Sequence, residues 1–78
     1  MPSIETIGPY RLFFYSEEGH EPPHVHIQRE RATAKFWLQP VRLARSRRFA
    51  DHELQKLHNL VEENQEKILE RWDEHFSS

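Results

Sequence analysis

At about residue 50 the apolar pattern changes from a period of two to a period of 3.6. In a chain of 78 residues this leaves room for one sheet and one helical layer. Downstream, Leu54, Leu57, Val61, Ile68, Trp72 and Phe76 recur at helical intervals and form one stripe, widened by Leu60 and Leu69. Asn64 and Gln65 interrupt it, which argues against a long coiled coil. Upstream, Ser3–Ile7 reads as a strand closed by the turn signal Gly8-Pro9. Residues 10–15 are apolar on both faces apart from Arg11, as in a central strand covered on both sides. Residues 16–23, with Gly19 and Pro22-Pro23, form a loop.

Two further segments alternate. In 24–29, Val25 and Ile27 oppose His24, His26 and Gln28; in 33–38, Ala34, Phe36 and Leu38 oppose Thr33, Lys35 and Trp37. The turn between them has no Gly or Asn to favour a primed geometry. Pro40 ends the strand or marks a bulge, after which 41–44 resumes it. The expected fold is α+β: an antiparallel three- to four-stranded meander over about residues 3–44, packed against one long C-terminal helix over about 50–76, all in a single domain spanning 1–78. The expected core is Leu12, Phe14, Val25, Ile27, Phe36, Leu38, Leu54, Leu57, Val61 and Ile68, with Trp37 on the other face. A 26-residue helix is roughly 39 Å long, more than such a sheet covers, so part of its stripe is expected to contact a partner.

The helix start has a gap. Phe49 and Leu54 are spaced as a hydrophobic staple and Glu53 stands where the return arm of a capping box belongs, which puts the N-cap at Ala50, a residue with no side-chain acceptor.

Composition narrows the classes. There is no cysteine, so neither a disulfide framework nor a Cys-based zinc site can support so small a core, and nine aromatic residues are the expected compensation. A second copy of the chain is a further way to complete it. No apolar run reaches the ~18–20 residues of a membrane span, and the N-terminal residues lack the pattern of a signal peptide, so a cytoplasmic protein is expected. The net charge of −2 is divided: residues 1–48 carry +3 and residues 49–78 carry −5. Residues 29–48 hold seven basic side chains against Glu30 alone. That density makes Lys35, Arg42, Arg45, Arg47 and Arg48 candidate nucleic-acid contacts, beside the plainer alternative of solvated faces that differ in sign.

The chemistry-bearing motif is His20-Glu21-Pro22-Pro23-His24-Val25-His26. His24 and His26 lie on one strand face with Cβ atoms about 6–7 Å apart. His20 shares their parity, but in an extended chain it stands roughly 13 Å from His24. Three readings stay open: a polar face that fixes the loop by hydrogen bonds, proton transfer or phosphate binding, and a metal site. The candidate catalytic residues are His24, His26 and His20. No cofactor is expected and no metal is assigned, for want of ligands. His52, His58 and His75 fall along the acidic helix and are expected in solvent.

The Gly8-Pro9-Tyr10-Arg11 and Phe13-Phe14-Tyr15-Ser16 segments, the H-x-P-P-H-x-H run, Ala34-Lys35-Phe36-Trp37-Leu38, Pro40-Val41-Arg42-Leu43-Ala44 and His52-Glu53-Leu54 together carry a resemblance. Along nearly its whole length the chain resembles the small bacterial domain-of-unknown-function family 4160. That resemblance implies a toxin component of a type II toxin–antitoxin module, neutralised by a cognate antitoxin protein. Joined to the basic segment and the histidine face, it implies action on RNA or ribosomes, with ribonuclease-type activity. The alternative is a non-enzymatic module whose histidine face and helix bind a partner protein. The chain departs from many relatives in having Glu30-Arg31 in place of a Gly-containing turn and Ala50 in place of a capping residue.

Overall fold

The structure is a computed structural model that describes residues 3–76. Five strands, β1 (Ser3–Ile7), β2 (Tyr10–Phe13), β3 (His24–Arg29), β4 (Ala32–Leu38) and β5 (Val41–Arg47), form one antiparallel sheet in sequence order. A one-turn 3-10 helix, Ser16–Glu18, lies in the β2–β3 loop, and two helices follow the sheet, α1 (Asp51–Glu63) and α2 (Gln65–Phe76). The expected α+β meander is therefore present, with two corrections.

The sheet has five strands, where three or four were expected. Gln39-Pro40 neither bulges nor interrupts β4. It turns the chain back, pairing Leu38 with Val41, and the returning strand runs on to Arg47. The helical part is two helices, where one was expected. Asn64 leaves helical geometry (φ −112°, ψ 12°), and its side-chain amide donates to the Leu60 carbonyl at 2.8 Å, supplying the last turn of α1 with a local partner. Gln65 donates across to the Leu38 carbonyl, fixing the break to the end of β4. The polar pair that interrupts the apolar stripe is thus the corner.

The corner removes the argument for a partner on the stripe. Leu57, Val61, Ile68 and Trp72 are buried against the chain's own sheet, and Leu54, Leu60, Leu69 and Phe76 pack partly buried around them. Nine of the ten expected core residues are fully buried, and Leu54 is half-buried. Trp37 is half-buried on the other face. His58 corrects another expectation: it is half-buried, with Nε2 donating to the Val41 carbonyl at 3.2 Å.

Two two-residue turns show what the backbone demands. Gly8, between paired Ile7 and Tyr10, has φ 58°, where glycine is nearly free of strain. Glu30, between paired Arg29 and Ala32, adopts φ 54° without that freedom, yet the β3–β4 register is regular over all six pairs. The departure at Glu30-Arg31 strains the turn and leaves the pairing intact.

The helix start matches the expected gap. Ala50 is the N-cap, extended at φ −75° and ψ 158°, and no side chain caps the helix. Glu53 is not the return arm of a capping box. Its carboxylate accepts Arg29 Nε and Nη2 at 2.9 and 2.8 Å and the Tyr10 hydroxyl at 2.7 Å, which ties the first turn of α1 to β3 and β2. The Arg29 hydrogen bonds, joined by that of Tyr10, hold the Glu53 carboxyl below the ordinary carboxylate range. Ala50→Ser is expected to raise stability by about 0.5–1 kcal/mol by giving the free N–H groups an acceptor. Paired urea denaturations check this, and an unchanged or lower midpoint would show that solvent already satisfies the cap.

Candidate functional site

The helices cover one face of the sheet. The other face is built by the strand registers as three cross-strand rows. Arg11, Gln28, Thr33 and Arg47 form one; Phe13, His26, Lys35 and Arg45 the next; His24, Trp37 and Arg42 the third. Each row ends at an arginine on β5. Strict alternation would put Arg42 and Arg45 on opposite faces, since they are three residues apart. A bulge between the Lys35–Arg45 and Phe36–Leu43 pairs inserts Ala44 and returns both arginines to this face. All three arginines are exposed.

A cleft of about 500 Å³ lies over the middle row, with Phe13, Tyr15, His26, Lys35, Arg45 and Arg47 in its lining. Its aromatic wall is fixed by ring contacts: Phe13 stacks on His26 at 5.4 Å and Tyr15 meets the same imidazole edge-on at 4.6 Å. Tyr15 is 41% exposed, so one ring is presented to solvent.

The structure separates the expected basic contacts. Arg42, Arg45 and Arg47 share the open face. Arg48 ends β5 with φ 66° and lies beside Arg29 and Arg31 in a different depression. Lys35 is buried, its ammonium 2.8 Å from Glu21 Oε1 and 4.5 Å from the Trp37 ring centroid, so it braces the loop to β4 from the floor of the cleft. The Lys35 hydrogen bond in turn pulls the Glu21 carboxyl down.

The histidines divide as well. His24 and His26 are brought together, whereas His20 is exposed in the turn and is not in the cluster. The third member is Glu18, which sequence reasoning missed. The 3-10 turn points it back at the strand, and its Oε1 is 2.8 Å from His24 Nε2 and 2.7 Å from His26 Nε2. Gly19 lets this loop close on α2, because a Cβ there would collide with the Phe76 ring. The adjacent Gly19 was the available signal for a loop that doubles back, but nothing in the spacing distinguished Glu18 from Glu17.

Hydrogen-bond chemistry assigns the protons. His24 Nδ1 lies 2.9 Å from the Pro22 carbonyl, which can only accept, so Nδ1 carries a hydrogen. The close contact of His24 Nε2 with Glu18 therefore contains one proton, held by the imidazole or by the carboxyl. His26 donates Nε2–H to the same oxygen, which leaves the lone pair of neutral His26 at Nδ1. Burial lowers the pKa of His26, outweighing the opposing pull of Glu18. Burial pushes the Glu18 carboxyl up, but the hydrogen bonds and charges of the two histidines together hold it below its ordinary range. His24 is fully buried, walled by the Trp72 ring at 4.9 Å and the Trp37 ring at 5.6 Å. The arrangement can orient an imidazole base, move a proton over a short distance, or offer two nitrogens and a carboxylate to one cation.

No helix is long and apolar enough to cross a membrane. Neither a search of curated proteins nor one of solved structures finds a match to the chain. A family model described as domain of unknown function DUF4160 matches residues 10–73, a span that takes in every strand of the open face from β2 onward and the Glu18, His24 and His26 cluster; the chain belongs to that family.

Proposed function

We propose that the protein is the toxin of a type II toxin–antitoxin module in the cytoplasm and acts on RNA, free or within the ribosome. A cognate antitoxin protein would neutralise it by covering the open face of the sheet. The observation that carries this reading is the alignment of the three rows. Exposed Arg42, Arg45 and Arg47 stand along one edge, beside the exposed Tyr15 ring and the half-buried Trp37 ring. Single-stranded RNA is held by this combination: cations follow the backbone while unpaired bases stack on aromatic rings. A duplex, whose bases are already stacked, makes no use of the rings. The Glu18, His24 and His26 cluster adjoins the rows, and His26 also lines the cleft, so a nucleic-acid strand on the arginines passes beside an imidazole oriented by a carboxylate. In that position His26 serves as general base toward an attacking hydroxyl. The alternative of a non-enzymatic partner-binding module loses one support, because the helical stripe is covered by the sheet.

Binding to a short fluorescent single-stranded RNA, measured across a salt series, tests the reading. Arg45→Gln is expected to weaken binding without sequence preference and to reduce the salt slope by roughly 0.7. Fold stability should stay within about 0.5 kcal/mol, because the side chain is exposed. No association of the wild-type protein with RNA or ribosomes at low salt would remove nucleic acid from the account.

A further inference from the structure

We propose that Glu18, His24 and His26 form a binding site for a single divalent transition-metal ion of the zinc type. Two imidazole Nε2 atoms converge on one carboxylate oxygen, at 2.8 and 2.7 Å, and the three ligand atoms lie within 4.8 Å of one another, a grouping formed by these three side chains among the described residues. The set of two histidines and one carboxylate is that of catalytic zinc sites and of non-haem metal sites with open positions. Nitrogen donors select such ions over magnesium and calcium, which take oxygen ligands.

A second observation is independent of this convergence. His24 is fully buried, and its Nδ1–H donates to the Pro22 carbonyl, which fixes the tautomer that aims the Nε2 lone pair inward. That outer hydrogen bond is the usual support of a metal-bound imidazole. The Pro22-Pro23 pair gives the carbonyl a rigid frame. Trp37 and Trp72 wall the ring, so no rotation is needed to present the nitrogen. A cation replaces two protons: the one between His24 Nε2 and Glu18, and the one that His26 Nε2 gives to Glu18. Metal–ligand lengths of about 2.0–2.2 Å require Glu18 to withdraw from each nitrogen by roughly half an ångström. Glu18 is half-buried on a one-turn helix in a loop, so this adjustment falls on a side chain able to make it. Three protein ligands leave a coordination position open, and His26 lies in the lining of the cleft over the open face.

The inference does not rest on the RNA reading, and its test uses the protein alone. Chelator-treated full-length protein is titrated with Zn²⁺ against a chromophoric competitor and, separately, with Co²⁺, whose visible absorption reports nitrogen–oxygen coordination. The expected result is one saturable equivalent, a visible Co²⁺ band and a higher melting temperature with Zn²⁺. Glu18→Gln, chosen because it preserves shape and avoids emptying a buried site, should weaken Zn²⁺ binding by about 100-fold while its circular dichroism stays that of the wild type. His20→Ala should bind as the wild type does. Absence of saturable binding, or equal affinity in Glu18→Gln, would overturn the assignment. Loss of the site in His20→Ala would overturn the ligand set.

Discussion

Cells expressing the Glu18→Gln variant are expected to grow as if no toxin were present, although the variant folds like the wild type. The reason lies in how the carboxylate is used. His26 donates Nε2–H to Glu18 Oε1, and a glutamine carbonyl oxygen can accept the same bond. His24 holds its proton on Nδ1 against Pro22, so its Nε2 can accept from the glutamine amide. Geometry is preserved while the negative charge is lost. Without that charge the imidazole is no longer held as a base, a loss of about 10²–10⁴ in rate for a positioned acid–base group. His26→Ala should be equally inactive, and the double variant no worse than either, because residues that act as one unit are not additive. His24→Ala is the poorer probe: it empties a fully buried position and leaves the Pro22 carbonyl without its donor, so activity and folding would fail together. Growth curves with circular dichroism on the same variants decide the matter. A folded Glu18→Gln protein that still arrests growth would exclude chemistry at this cluster.

Periodicity read well wherever a single face decided the outcome. Val25 and Ile27 against His24 and His26, and Phe36 and Leu38 against Trp37, are period-two statements that burial confirms. The helical stripe and the uncapped Ala50 were legible in the same local way. Contacts set by long-range geometry were not. Glu53 sits at a capping-box position, and only the approach of β3 to α1 reassigns it to Arg29 and Tyr10. Ala44 looks like any strand residue, yet as the bulge it decides that Arg42 and Arg45 share a face. Glu18 lies in a loop, where no period exists to predict direction, and the turn that aims it depends on Gly19 meeting Phe76 from the far end of the chain. His20, favoured by parity along an extended strand, is displaced because the loop does not stay extended.

Trp72→Ala should be the most damaging single truncation, costing about 3–5 kcal/mol. For a chain of this length total stability is on the order of 4–12 kcal/mol, so the variant would be partly unfolded near physiological temperature. Trp72 is buried where α2 meets the β2–β3 region, with the Phe14 ring at 5.2 Å and the Phe76 ring at 4.1 Å. The same indole lies on the His24 ring at 4.9 Å, so truncation opens a cavity beside the buried member of the histidine pair. Trp72→Phe keeps most of the apolar volume and should cost much less, which separates lost packing from a local disturbance of His24. Urea denaturation by circular dichroism gives the first effect, and the fraction folded at 37 °C gives its consequence in the cell. If Trp72→Ala lowered stability by less than about 1 kcal/mol, α2 would not be holding the end of the sheet closed. The wall around His24 would then have to come from Trp37 and the Pro22-Pro23 loop alone.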